Sequence, residues 1–381
     1  MLAMLQRTFA QAPCLGSAPG VVPDSLTVPD SLTVVVPAYN EAANIGDCVA
    51  SILASEPPCS AWRLLVVDDG STDQTAALAE AALAAGSVAS ALLPAGPRPE
   101  GERWVGKNWA CHQANRWLDQ AGGSDWLLFL DADVRLEPGA LRLALADASR
   151  HGADLLSLAP RLSCSCLAEW LVQPIIASLL GLGFPIQRAN DPADSLAFAA
   201  GPFMLFRRSS YLAVGGHGAV AAEVVEDLAL ARAIKGRGLR LRYLLALDQL
   251  TLQMYPNFQA LWEGWSKNWF LGLDRDVIKA LGAGGLVVQL FAVPWLLLPV
   301  GLQLAVIQRP PLTWAPLAVA LSGIGLQFAI RLWSRRRFRL PLDWWWLAWA
   351  GALVIGAIAP VSVVKTLTGR GWTWRGRPLQ A

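Results

Sequence analysis

The chain has 381 residues, 54% of them hydrophobic and 16% charged, with a formal net charge of +2. This balance excludes a disordered chain, a collagen-like fibre and a long charged coiled coil, and a wholly soluble protein is not expected. With so little net charge and no basic stripe on a globular face, nucleic acid is not expected as a partner.

Residues 1–30 read as a flexible leader. It contains a tandem duplication, PDSLTV at 23–28 and again at 29–34, which an exposed terminus tolerates cheaply. The first residues lack a long apolar core, so a signal peptide is not expected. The six cysteines are Cys14, Cys48, Cys59, Cys111, Cys164 and Cys166. Their spacing matches no zinc site, and they read as reduced thiols in a cytoplasm-facing domain.

From residue 31 to about 250 the pattern alternates strand, loop and helix. Strands are expected at 32–36, 63–67, 126–130 and 155–158. Helices are expected near 41–54, 73–85, 107–118 and 138–149. Runs apolar on both faces suit parallel strands covered by helices. The fold class is therefore α/β with a mostly parallel sheet. Ligands of such sheets bind beyond the carboxyl ends of the strands, and polar residues collect at those ends.

Asp131 and Asp133 follow the apolar run Trp-Leu-Leu-Phe-Leu. Carboxylates at a buried strand end are costly unless a cation neutralises them. Mg²⁺ or Mn²⁺ suits such hard oxygen ligands and binds one or two carboxylates plus substrate phosphates. A solvated strand-end loop is the plain alternative. Asp68 and Asp69 end another strand, and a carboxylate there can accept a uracil N–H. Tyr39 can lie against the base, Glu41 opens the next helix, and Ser71 or Asp73 would cap the following one.

The segments VVVPAYNEAANI, VVDDGSTDQTA, LFLDADV and VVEDLALARAIKGRG occur in that order and closely resemble the family-2 glycosyltransferases. The resemblance covers roughly 32–270. It implies the GT-A fold, a nucleotide-diphospho-sugar donor, a divalent cation and inversion at the anomeric carbon. It places Pro37, Tyr39, Asn40, Glu41, Asp68, Asp69 and Asp131 on the donor, with Asp131 and Asp133 on the metal. Asp227, beside Glu226, falls on the family's catalytic base. Taken alone, the two acids also read as first-turn residues favoured by the helix dipole.

A narrower resemblance links WVGKNWA at 104–110 to bacterial transferases that glycosylate carotenoids and hopanoids. Lys107 would then contact the diphosphate, or else be a solvated lysine at a helix start. GPFMLFRR at 201–208, which begins with Gly201, resembles the acceptor-side strand of that group. At 261–269 the QxxRW motif of processive synthases is absent: Gly264, Lys267 and Asn268 stand in its place. This argues against a polysaccharide synthase and leaves Trp265 or Lys267 as supports for product or diphosphate. The stretch 251–280 also reads as an interfacial helix region with its Trp residues in lipid headgroups. Residues 161–188, too short to span, read as an interfacial helix or a buried helix of the catalytic domain.

Three apolar runs follow, at about 281–308, 311–331 and 344–364, each long enough to span a bilayer. Twelve of the 18 Trp lie from Trp262 onward, as an interfacial belt requires. The five Arg of 331–339 mark a cytoplasmic loop. Residues 367–381 form a basic tail. If the third run crosses fully, that tail lies outside, against the positive-inside bias. Pro360 would let run three turn back, or Pro294 and Pro299 would make run one re-entrant; both remain open.

Together these features describe an integral membrane enzyme with its catalytic domain on the cytoplasmic side. It would move a sugar, guessed as glucose, from a UDP-sugar to a hydroxyl of a lipid, first a carotenoid. A hopanoid, ceramide or glycerolipid is the alternative acceptor. A catalytically silent membrane partner that binds nucleotide sugar is the alternative of another class. A transporter is disfavoured by the lack of ionisable residues inside the runs.

Overall fold

The structure is a computed structural model that describes residues 1–16, 31–307 and 314–378. It divides into two compact units. One comprises 8–161 and 184–253; the other comprises 1–7, 162–183 and 254–381.

The first unit contains strands β1 (Ser31–Ala38), β2 (Ala61–Asp68), β3 (Ala89–Pro94), β4 (Trp126–Leu130), β5 (Val134–Leu136) and β6 (Leu155–Ala159). After the two-residue β7 (Arg161–Leu162) come β8 (Phe203–Arg207), β9 (Leu241–Leu245) and β10 (Leu250–Leu252). A seven-stranded sheet runs in the order β3-β2-β1-β4-β8-β6-β9. All neighbouring pairs are parallel except those made by β8, which is antiparallel to both β4 and β6. β5 and β10 pair antiparallel within a second, three-stranded sheet of order β5-β10-β7.

β4 is buried along its whole length and β1 nearly so, as strands covered on both faces must be. Ala38 pairs with Asp68, and Val35 with Phe129. This register puts residues 38–41, 68–73 and 131–133 along one rim of the sheet. β8 begins at that rim, with Phe203 beside Leu130, so Gly201 lies there too. Helices Ile45–Leu53, Thr75–Ala84, Gly106–Gln120 and Ala140–Arg150 follow β1, β2, β3 and β5 respectively.

The leader reading fails for its first residues. Leu2–Ala10 is a helix, and Leu5 and Phe9, one turn apart on it, are both buried. An apolar pair at that spacing gives the segment a face to bury. The first copy of the duplication lies outside the described residues.

The second unit holds three helices long and apolar enough to cross a membrane, Val277–Val306, Trp314–Phe338 and Trp345–Thr368. Only 28%, 22% and 39% of their most apolar stretches are buried, which suits lipid-facing surfaces better than a water-soluble core. Residues 308–313, where the ends of runs one and two were expected, are outside the described residues.

Run one is two helices, Val277–Phe291 and Val293–Val306. Pro294 has no N–H to offer the carbonyl of Leu290, four residues earlier. Gln327 supplies the missing donor: its Nε2 lies 2.8 Å from Leu290 O and 3.2 Å from Phe291 O. The basic stretch expected as a loop is instead helical as far as Phe338. The basic tail carries a short hairpin, Thr373–Trp374 with Arg377–Pro378.

Helix Leu167–Gly183, which the sequence left as either an interfacial helix or a buried helix of the 31–250 domain, belongs to this second unit. Its Val172, Ile175 and Ile176 are buried in one cluster with Ile355 and Ile358. The approach is close: a Cβ on Gly351 would fall 1.9 Å from the carbonyl oxygen of Leu171.

Candidate active site

At the rim of the first unit, Lys107 joins two acids. Its Nζ is 2.6 Å from Asp131 Oδ1 and 2.6 Å from Glu226 Oε1. Lys107 opens helix Gly106–Gln120, Asp131 follows β4, and Glu226 opens helix Glu226–Gly236. Burial works against the lysine's charge, but the two carboxylates outweigh it and hold its pKa well above the ordinary range. Asn108, the next residue, fixes the connection to Glu226. Its buried Nδ2 reaches the carbonyls of Val220, Ala221 and Glu223 at 2.7, 3.2 and 2.8 Å.

Asp227 is held from both sides. Its Oδ2 accepts from Gly201 N at 2.9 Å, and its Oδ1 from Leu228 N at 2.7 Å. Burial pushes this carboxyl up to about 7, and the adjacent Glu226 adds to the rise. The Lys107 charge and the two N–H groups offset part of it. Gly201 has little room for a side chain, since a Cβ would meet Asp227 Oδ2 at 3.0 Å. Read from sequence as an acceptor-side residue, Gly201 is here a backbone donor to the expected base.

The donor-side residues form a second cluster. Asn40 has a left-handed backbone, with φ of 53°. It receives Thr72 N on Oδ1 at 2.9 Å and gives its own N–H to Ser71 Oγ at 3.0 Å. Glu41 N donates to Thr75 Oγ1 at 2.7 Å, and Glu41 Oε2 accepts from Asn44 Nδ2 at 3.0 Å. These bonds lock the loop after β1 to the loop after β2. Ser71, expected as a helix cap, makes this cross-link instead. Asp73 does serve the helix start, accepting from Thr75 N at 2.9 Å. Asp68 accepts from Ser71 N at 3.2 Å. Asp69 is buried and pairs with Arg98 at 2.6 Å. Pro37 is the penultimate residue of β1, and Tyr39 follows the strand half-buried.

Asp131 and Asp133 fit a divalent ion held jointly with a diphosphate, the arrangement that asks fewest protein ligands. No group of three or more metal-ligating side chains occurs among the described residues. Of the two carboxylates, Asp131 carries the Lys107 ammonium.

Trp265 and Lys267 belong to the second unit. Both sit on helix Phe258–Gly272. Trp265 is buried and donates Nε1 to Gln173 Oε1 at 2.9 Å, so it is a packing residue and not an exposed interfacial Trp. Gly264, where processive synthases have Gln, is filled by a neighbour: a Cβ there would lie 2.5 Å from the Tyr255 ring.

Sequence reading missed Arg98, Asn108 and the buried pair Tyr211–His217. In that pair Tyr211 Oη and His217 Nδ1 are 2.8 Å apart, and burial lowers the histidine to about 3, keeping it neutral. Arg98 lies in a Pro/Gly-rich stretch with no pattern of its own. Asn108 had a signal, its place directly after Lys107 in the GKN segment.

Residues 33–215 match the family model "Glycosyl transferase family 2". That match covers just under half of the chain. The chain is 28% identical over 264 residues to the 4,4'-diaponeurosporenoate glycosyltransferase of Staphylococcus aureus strain MRSA252. The match covers 68% of this chain and 66% of that relative. The same enzyme of strain USA300 matches with equal identity and coverage. Among solved structures, the mannosyltransferase PcManGT of Pyrobaculum calidifontis, in complex with GDP-Man and Mn²⁺, aligns with a TM-score of 0.50. That alignment covers 97% of this chain and 95% of the other at 15% identity. It supports the GT-A fold of the family-2 domain and nothing finer.

Proposed function

We propose that this chain is a membrane-bound inverting glycosyltransferase with a UDP-sugar donor and a lipid hydroxyl acceptor. One observation carries the reading. The Asp227 carboxylate, fixed by two backbone N–H groups, lies next in the chain to the Glu226–Lys107–Asp131 ion-pair chain at the strand-end rim. A carotenoid is the first acceptor class, since the Staphylococcus relatives are named for 4,4'-diaponeurosporenoate; that name denotes a carboxylate, whereas the acceptor proposed here is a hydroxyl, whose proton calls for a base. A cytoplasmic rim would meet the donor, and the three long apolar helices would bring the acceptor within the bilayer.

In this mechanism Asp227 takes the proton of the acceptor hydroxyl as that oxygen bonds to the anomeric carbon. The bond from that carbon to the diphosphate breaks from the opposite face, and the diphosphate keeps the electron pair. Gly201 and Leu228 hold the base oriented. Glu226 and burial keep its proton affinity near neutrality, where proton transfer is most effective. Asp69, tied to Arg98, and Asp68 would receive the nucleotide base, with Tyr39 against it. A divalent ion held by Asp131 and Asp133 would neutralise charge on the leaving diphosphate.

Membranes expressing wild type or Asp227→Asn would be given Mg²⁺ or Mn²⁺, a panel of nucleotide sugars and a pigmented total lipid extract. Products would be followed by visible absorbance and mass. A coloured species that gains one sugar only with wild type establishes the carotenoid acceptor and names the donor. A colourless lipid that gains the sugar moves the acceptor to a hopanoid, ceramide or glycerolipid. No adduct from any donor, with donor binding intact, favours the silent nucleotide-sugar-binding partner.

A further inference from the structure

Arg331 is a buried arginine with two guanidinium nitrogens that no described residue accepts from. It lies on helix Trp314–Phe338 and is only 7% exposed. Its guanidinium carbon sits 5.1 Å from the centre of the Trp170 ring. Its Nε and Nη2 are buried and have no hydrogen-bond partner among the described residues. Buried charged groups are ordinarily paired, because an unpaired one forfeits its hydration without compensation.

The surroundings explain why no internal acceptor serves. Arg331 lines a cavity of about 30 Å³ with Trp170, Ser178, Gln327, Ser334, Trp344 and Trp345. Gln327 Oε1 is taken by Trp295 Nε1 at 2.8 Å, and its amide nitrogen by the carbonyls around the Pro294 break. Ser178 Oγ is spent on Pro174 O at 2.8 Å. Asp343, the nearest acid in sequence, makes no ion pair with Arg331 among the described residues. A stacked guanidinium that presents unused N–H groups is built for an oxyanion, which it can bind through two parallel hydrogen bonds.

The position narrows the class of oxyanion. Arg331 stands about one turn inward of the exposed Arg335 and Arg336. Trp344 and Trp345 on the cavity wall are residues that favour the headgroup level of a bilayer. The cavity has room for one or two oxygen atoms reaching in from outside but not for a whole ligand, and its walls are largely apolar. We infer that the Arg331 cavity of the second unit binds the phosphate of an anionic membrane lipid, with the acyl chains outside. The inference is independent of the transfer reaction proposed above.

The test uses the full-length protein in detergent, with thermal unfolding followed against added lipid. The probes are phosphatidylglycerol, phosphatidylcholine and inorganic phosphate; the variants are Arg331→Met and Arg335→Gln. Wild type should bind phosphatidylglycerol about tenfold more tightly than phosphatidylcholine, whose choline cation offsets the phosphate charge and repels a buried guanidinium. Arg331→Met should abolish that preference while its melting temperature without lipid stays level or rises, since an unpaired buried charge has gone. Arg335→Gln should keep the preference. An unchanged preference in Arg331→Met overturns the inference. So does equal loss in both variants, which would indicate general surface attraction. A melting temperature that collapses in Arg331→Met without lipid, with the lipid preference intact, assigns Arg331 to stacking on Trp170 alone. Equal stabilisation by inorganic phosphate shows that the site takes the free ion and overturns the lipid assignment.

Discussion

A carboxyl whose pKa stands at about 7 is half protonated near neutrality. If Asp227 is the base, turnover should rise with pH through about 7, where an ordinary carboxylate near 3.8 would leave it flat. Stability should run the other way. A carboxyl with a raised folded-state pKa binds its proton more tightly when folded. Its contribution is therefore full below about 4 and is lost as pH climbs to about 7. A pH series of turnover and of melting temperature, each on wild type and Asp227→Asn, checks both signs. The variant should lose about 10²–10⁴-fold in turnover, keep donor affinity, and flatten both profiles. Lys107 is the neighbouring test. Lys107→Met strands two carboxylates that now share one cation, and should cost about 3 kcal/mol. Adding Glu226→Gln should recover part of that loss, measured as coupling in a double-mutant cycle.

Among the elements, the closest contact is between helices Leu167–Gly183 and Ala348–Thr368. Gly351 has no room for a Cβ against the Leu171 carbonyl. Gly351→Ala must force the two backbones apart, a loss of about 1–3 kcal/mol, to be read as a lower melting temperature in detergent. The other helix contacts follow the same rule. A Cβ on Gly284 would fall 2.7 Å from the methyl of Ala359, and one on Gly301 2.7 Å from the backbone nitrogen of Leu317. Small residues that bring backbones together are how helices associate where lipid removes the hydrophobic drive. The departure from QxxRW belongs here too. Gly264 is occupied by the Tyr255 ring, so no side chain could act from that position.

For the molecule as a whole, the second unit is discontinuous in sequence. A chain cut after residue 253 keeps 162–183 but loses the helices that bury Val172, Ile175 and Ile176. Such a truncation should be insoluble in water, and fractionation after expression without detergent checks it. The strands and the acids at their ends were legible beforehand, because apolar runs and strand-end polar residues are local patterns. The helix at Leu2–Ala10 was not, because a nine-residue segment with two buried positions carries too little periodicity. The burial of Trp265 and its bond to Gln173 were not legible either, because a Trp-rich stretch suits a headgroup belt and a packed helix equally well.

The sequence by itself determined the α/β class, the acids at the rim and the three long apolar segments. Each follows from residues close together in the chain, through strand alternation, helix periodicity or uncharged length. Tertiary structure alone decided that Lys107 bridges Asp131 and Glu226, that Gly201 serves Asp227, and that 162–183 leaves the stretch around it. It alone made Arg331 a buried arginine instead of a member of a basic loop. These outcomes depend on partners distant in sequence, where no local pattern records which groups meet and which are left to find a partner elsewhere.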